Sequence, residues 1–213
     1  MRSAIAIVLT SGLVALATAG CGSSASTSSR PSTTSGATTT HSSASGQPAA
    51  VGALSADATS AATGDIPDNQ VFLTYHNPTE RYSISYPEGW ALKGAGSDIS
   101  FTDKNNVVHV VIGTAPAPTP AAVTAELSRL KHANPMLTFS HPATVALKSG
   151  SAVKATYTTL SPPNPVTGKR VLLIVDRYEL SRAGKHATVD LGTPKGVDNV
   201  DAYRKMINSF HWQ

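Results

Sequence analysis

The sequence predicts an α+β fold: a mostly antiparallel β-sheet with amphipathic helices packed on its faces. Three observations carry this. Residues 81–90, RYSISYPEGW, alternate apolar and polar side chains at the period of a strand and end in a Pro-x-Gly-Trp corner. All twelve Phe, Tyr and Trp residues lie at or after Phe72, so a dense core belongs to the last two thirds of the 213 residues, enough for one domain of ordinary size. Within that part the apolar period switches between two and three-to-four in the order strands, helix, strands, helix, which is the signature of this class.

The chain begins differently. Residues 1–20 read as a secretory signal peptide: Arg2 is a short positive region, residues 4–19 are almost uninterruptedly apolar, and Ala19-Gly20 precedes Cys21 as a small-residue cleavage site. The stretch is too short to span a bilayer as a stable helix. Cys21 is the only cysteine, so it has no internal disulfide partner, and an unpaired thiol in a secreted chain is a reactivity problem unless it is consumed. Acylation would consume it. The segment resembles a bacterial lipobox, with Thr18 where such sites usually carry Leu, and that resemblance implies lipidation of Cys21 and a membrane anchor on the extracytoplasmic face. More than one acyl chain would make the attachment stable. The plainer alternative is ordinary leader cleavage with Cys21 left free.

Residues 21–70 form a tether rich in Ser, Thr, Ala and Gly, with Pro31 and Pro48 inside it. Too little apolar volume is present to offset chain entropy, so the expectation is a disordered linker with a root-mean-square reach on the order of 40 Å. Its Ser/Thr density with proline also resembles O-glycosylated stalks. A short helix over 51–62 is possible on composition, and His41 stands alone.

Residues 71–213 form the domain. Residues 71–76 (VFLTYH) read as a first strand and NPTE as the turn into 81–86, where Tyr82, Ile84 and Tyr86 share one face. Pro87 stops the ladder because it has no amide hydrogen, Gly89 frees the corner, and Trp90 reads as a core plug. A short segment at 91–93, the break Gly94-Ala95-Gly96, and 99–102 with Ile99 and Phe101 on one face follow. After the turn DKNN, residues 107–113 (VVHVVIG) are apolar on both parities, the pattern of a central strand covered on both faces. His109 within it reads as a hydrogen-bonded inner residue rather than a ligand.

Thr119-Pro120 is a helix start, the hydroxyl capping amides while proline takes the first turn. Val123, Leu127 and Leu130 make one apolar stripe, with Glu126, Arg129 and Lys131 off it, and Asn134-Pro135 ends the helix. Two short extended pieces follow, at 137–139 and 143–148. Residues 152–160, 171–180 and 185–191 then form a meander, with a proline-rich loop at 161–169 and a tight turn at 181–184. A second helix, capped by Asp198, places Val200, Tyr203, Ile207 and Phe210 on its stripe and Met206 at its edge, before Trp212.

The Tyr-Ser-Ile-Ser-Tyr-Pro-x-Gly-Trp corner, the mid-chain helix and the closing Ser209-Phe210-x-Trp212 together resemble the PsbP-like domains. With the lipobox and the tether, the chain is also similar to actinobacterial LpqN/LpqT-type lipoproteins. The resemblance covers about residues 71–213 and implies the architecture above, but no partner, since its motifs consist of core and corner residues and function must be argued from a site.

The chemistry is sparse. There is no GxSxG, HExxH, Walker loop or CxxC motif, and the histidines at 76, 109, 132, 141, 186 and 211 lack metal-ligand spacing, so the reading assigns no catalytic, cofactor or metal residue. Asp176, Arg177 and Glu179, with Lys185 and His186 across a turn, read as a surface ion-pair ladder rather than an acid/base pair. The net charge of +4 arises from +1 in the leader, −2 over 22–70 and +5 thereafter, scattered rather than striped, which argues against nucleic acid. The leading functional expectation is a non-enzymatic envelope lipoprotein, held to the membrane at Cys21, whose domain binds a protein or small amphiphile in an apolar groove between sheet and helix. The rival is an envelope hydrolase or metal-dependent enzyme assembled from distant strands. A spacer touching wall polymer is a third reading.

Overall fold

The computed structural model describes residues 64–213 apart from Pro165. The expected leader, the proposed lipidation position Cys21, the expected tether up to residue 63 and the helix expected at 51–62 lie outside the described residues. The fold is α+β, mostly antiparallel, with two helices packed on sheet faces. Its elements are β1 (Phe72–Asn77), β2 (Tyr82–Pro87), β3 (Ala91–Ala95), β4 (Asp98–Asp103), β5 (Asn106–Thr114), α1 (Pro120–Ala133), β6 (Ala143–Leu147), β7 (Gly150–Leu160), β8 (Leu172–Arg182), β9 (Lys185–Pro194), α2 (Val200–Ser209) and β10 (His211–Trp212).

The single sheet expected from the sequence is in fact two. One has the order β1-β2-β10 and the other the order β3-β4-β5-β9-β8-β7-β6. The corner at Pro87–Trp90 is the reason: the chain leaves β2 there and starts the larger sheet with β3, while Trp90 is buried as expected. In β2, Tyr82 and Ile84 are fully buried, and Tyr82 stacks on Phe210 with ring centroids 5.3 Å apart. Tyr86 stacks on Phe101 at 4.2 Å, so β2 is joined to both the larger sheet and the carboxy-terminal segment. Burial pushes the Tyr82 phenol up to about 12.

Alternation assigns the faces of the seven-stranded sheet. Ile99, Phe101, Val108, Val110, Ile112, Ala187, Val189, Leu191, Tyr178 and Leu180 point to one side, where they meet Tyr82, Ile84, Tyr203, Met206, Ile207 and Phe210 in the main core. The opposite side carries a smaller cluster of Val123 and Leu127 from α1 on Val153 and Ala155 of β7. The layers are therefore α1, the seven-stranded sheet, and the three-stranded sheet with α2. β5 is central, as read, but only one of its faces is closed: Val108, Val110 and Ile112 are buried, while Val107, His109 and Val111 are half-buried on the other. His109 is accordingly on the outer face, bonded through Nε2 to Asp98 Oδ1 at 2.8 Å, and not an inner residue.

Both helices begin as their sequences suggest, with one shift. Thr119 accepts a hydrogen bond from the Ala122 amide at 3.2 Å, Pro120 opens α1, and Asn134 closes it. For α2 the cap position is Asn199 rather than Asp198. Asp198 Oδ1 still accepts from the Val200 amide at 3.2 Å. The stripe of α2 is also rotated from the expected one: Met206 is fully buried at its centre, and Val200 is 60 % exposed. The turn between β8 and β9 contracts to Ala183-Gly184, both in the left-handed region (φ 50° and 79°), closed by the pair Arg182 and Lys185. That is the two-residue loop whose twist suits a hairpin.

Residues 64–70, read above as the end of the tether, pack with the domain. Ile66 joins the main core. Its amide donates to Asn199 Oδ1 at 2.8 Å, and the Gly64 carbonyl accepts from Asn106 Nδ2 at 2.5 Å and Asn199 Nδ2 at 3.1 Å. Thr193 completes this buried clasp, donating to Asn106 Oδ1 at 3.1 Å and accepting from Asn199 Nδ2 at 2.9 Å.

Candidate functional site

The residues singled out as a surface ladder separate onto two faces, because Asp176 has the opposite parity to Arg177 and Glu179. Asp176 pairs with Lys154 at 2.8 Å, and Lys185 reaches Glu80 at 2.9 Å. Arg177 and Glu179 point instead under α1, into a cluster that is buried rather than at the surface. Arg177 Nε donates to Asp190 Oδ1 at 2.8 Å and Nη2 to Asp190 Oδ2 at 2.7 Å, a bidentate pair between register partners on β8 and β9. Its Nη1 donates to Glu126 Oε1 on α1 at 2.5 Å. Tyr157 donates its hydroxyl to Asp190 Oδ2 at 3.1 Å, and its ring lies under the guanidinium with 5.3 Å between centres. Burial disfavours the charged guanidinium, but the bonds and charge of Asp190 outweigh it and hold Arg177 protonated.

Glu179 lies beside this group. His186 Nε2 and Glu179 Oε2 share a short hydrogen bond, and Thr188 Oγ1 donates to the same oxygen at 3.0 Å. The other oxygen, Oε1, has no hydrogen bond and stands 3.9 Å from Arg177 Nη1. Burial raises the Glu179 carboxyl above the ordinary carboxylate range, opposed by the His186 bond and assisted by the charge of Glu126. A raised folded-state value means that the native protein binds this proton more tightly than the unfolded chain. The associated stability is present at low pH and is lost as pH rises out of the ordinary carboxylate range through the folded-state value. Glu179→Gln is therefore expected to raise Tm at pH 7 by about 2–4 °C, with the gain fading towards pH 4. Paired thermal melts at the two pH values check this, and an equal gain at both would remove the titration argument.

The arrangement is a lock between α1 and the sheet. Its donors and acceptors face one another, and α1 covers them. Among the described residues, no group of three His, Cys, Asp or Glu side chains is placed to hold a metal ion. The candidate histidines are dispersed: His76 is bonded by the Gln213 amide, His109 by Asp98, His186 by Glu179, and His211 by Ser83, while His132 and His141 are exposed.

The expected apolar groove between sheet and helix is filled by Tyr203, Met206, Ile207 and Phe210, all buried. An open depression of about 410 Å³ lies instead on the outer side of α2, lined by Ser85, Lys148, Asp201, Arg204, Lys205, Asn208 and Ser209. Helical spacing puts Asp201, Arg204, Lys205 and Asn208 on this side, since the i, i+3 and i+4 neighbours of a helix share a face. The Ser85 amide donates to Ser209 Oγ at 2.7 Å, and that hydroxyl donates to the Met206 carbonyl at 2.6 Å, which joins β2 to the end of α2 and forms the floor. Arg204 pairs with Asp201 at 2.9 Å, and the Lys205 ammonium sits 4.1 Å over the Phe72 ring. Lys148 comes from the turn between β6 and β7. Among the described residues, no side chain hydrogen-bonds to Lys148, to Asn208 or to the Ser85 hydroxyl. The sequence reading missed this surface because its residues come from three separate segments. The one local signal was the adjacent pair Arg204-Lys205 on an otherwise apolar-striped helix.

No family model matches the chain, and no curated protein matches it. Solved structures do. The chain is similar to cyanobacterial PsbP (CyanoP) from Synechocystis sp. PCC 6803, with 16 % identity and a TM-score of 0.48 over 70 % of this chain and 98 % of that one. It is similar to LpqN of Mycobacterium tuberculosis, a protein involved in cell envelope biogenesis, with 16 % identity and a TM-score of 0.38 over 68 % of this chain and 91 % of that one. The Saccharomyces cerevisiae Ran-binding protein Mog1p is similar at 7 % identity and a TM-score of 0.46, over 68 % of this chain and 96 % of that one. The likeness is one of fold, at low identity and over part of the chain.

Proposed function

We propose that the chain is a lipid-anchored cell-envelope protein, held at Cys21 on the extracytoplasmic face of the membrane, whose α+β domain binds a protein or small amphiphilic partner without catalysing a reaction. The observation that supports a binding role is a contrast within the domain. The buried Arg177 and Asp190 bond to one another under α1, with the half-exposed Glu126 bonded to Arg177, whereas in the open depression beside α2 no side chain hydrogen-bonds to Lys148, to Asn208 or to the Ser85 hydroxyl. A hydrolase or metal enzyme needs polar groups converging on an open cavity with acidities set for chemistry. The buried cluster has the shifted acidities without the opening. The single cysteine after a small-residue pair, followed by a Ser/Thr-rich tether, supports the anchor.

The anchor has its own test. In cells given an alkyne-bearing fatty acid, the native chain is expected to take up the label and to enter the detergent-rich phase on extraction. Cys21→Ser is expected to abolish the label. Label retained by that variant, or absent from the native chain, would remove the lipid anchor from the reading.

A further inference from the structure

We propose that the depression beside α2 receives the phosphate of an anionic phospholipid headgroup, so that the domain docks on the membrane surface through this face. The proposal deepens the partner-binding reading and rests on it for a location at the envelope. Three cations surround the depression, Lys148 from the β6–β7 turn and Arg204 and Lys205 from successive positions of α2, against one carboxylate, Asp201. That carboxylate bonds to Arg204, and both side chains are mostly exposed. Lys148 and Lys205 have no carboxylate within ion-pair distance among the described residues. The uncompensated charge is thus concentrated where the surface is concave, the arrangement that gathers anions.

The neutral lining specifies the anion further. The Ser85 hydroxyl and the Asn208 amide, short uncharged donors to which no side chain hydrogen-bonds, line the same depression as cations from two different elements. A tetrahedral oxyanion can accept from several directions at once, whereas a planar carboxylate is matched by the flat two-point fork of a single arginine, the geometry already taken up inside the domain by Asp190. The volume, about 410 Å³, exceeds a bare phosphate and leaves room for the group that carries it. Val200, one helical turn before Arg204 and so on the same side of α2, is 60 % exposed. An exposed apolar residue beside a cationic concavity suits an interface in which headgroup and acyl boundary are close together. Charge complementarity with an anionic leaflet is worth about a fivefold change in partition per cation near the surface.

The test uses the full native chain reconstituted by its own anchor in vesicles of phosphatidylcholine, with and without phosphatidylglycerol. Lysine acetylation rates are read by mass spectrometry. Acetylation of Lys148 and Lys205 is expected to slow about fivefold or more in the phosphatidylglycerol vesicles, while the exposed Lys131 and Lys195 keep their rates. The protection is expected to vanish at high salt and in Arg204→Glu, and to persist in Arg204→Lys. Thermal melts establish that both variants are folded. Unchanged rates at Lys148 and Lys205 would overturn the proposal. So would uniform slowing of all four lysines, which is the response of a diffuse surface charge. The same protection produced by inorganic phosphate on phosphatidylcholine vesicles alone would identify free phosphate, not a headgroup, as the ligand and would also overturn it. A chain that does not enter either vesicle counts against the acyl anchor. The same four rates are then compared in micelles of the two lipids, where the expected and overturning results are the same.

Discussion

Replacing Arg177 by alanine is expected to destabilise the domain by about 3–5 kcal/mol, the usual cost of removing one member of a buried ion pair and leaving the other without a partner. Asp190 is the residue left behind. It is 7 % exposed and lies between Val189 and Leu191, so it cannot turn towards water without moving β9. Glu126 fares better because 42 % of its side chain is accessible, and it can re-solvate. Removing Arg177 together with Asp190, as Arg177→Met with Asp190→Val, is expected to recover much of the loss, since an apolar pair of similar volume has no charge to leave stranded. Urea unfolding of the two variants and the native protein decides the matter. A cost below about 1 kcal/mol for Arg177→Ala would mean that the cluster is solvated in solution, as for an ordinary surface pair.

Asn199→Ala is expected to cost about 2–4 kcal/mol, because it removes an acceptor from the Ile66 amide and a donor shared among the Gly64 carbonyl, Asn106 and Thr193, all within a buried network. The location of the damage matters more than its size. Gly64 keeps its bond from Asn106, but the Ile66 amide loses its bond to the Asn199 side chain, so the segment before β1 is expected to loosen ahead of the sheets. Limited proteolysis with mass spectrometry should show cleavage near residues 64–70 in the variant at protease levels that leave the native protein whole. Cleavage spread over the domain from the outset would indicate global unfolding instead and would contradict a local clasp.

Much of the fold is legible in the sequence because its signals are local. Tyr82 and Ile84 announce the buried face of β2 by simple alternation, and Thr119, Pro120 and Asn134 mark the limits of α1 by their backbone chemistry. The division into two sheets is not legible. Period two tells which residues share a face but not which strand lies alongside, and β10, at two residues, is too short to carry a period. The polar cluster falls between these cases. Its partners stand 13 and 51 residues from Arg177, so spacing does not connect Asp190 or Glu126 to it. Parity was available, however: once Tyr178 and Leu180 are placed in the core, Arg177 and Glu179 must face the other way, and so must Asp190 between Val189 and Leu191. What the sequence lacks is the position of α1, whose coverage turns that outer row from a solvated ladder into a buried one. The depression beside α2 was illegible for a related reason, since its charge becomes local only when the β6–β7 turn comes alongside the helix.

The larger sheet is long in its middle and short at its margins. β8 and β7 have 11 residues each, β9 has 10, and the two outermost strands, β3 and β6, have five. In β3 the terminal run is interrupted further: Gly94 adopts φ +83°, and a side chain there would meet the Asp98 carbonyl oxygen at 2.2 Å. Because alternate residues of an antiparallel strand direct their amides outward, each margin offers only about two or three free donors to a passing strand. Lys93 adds a charge to one of them. A neighbouring copy therefore finds little template at either margin for joining this sheet to its own.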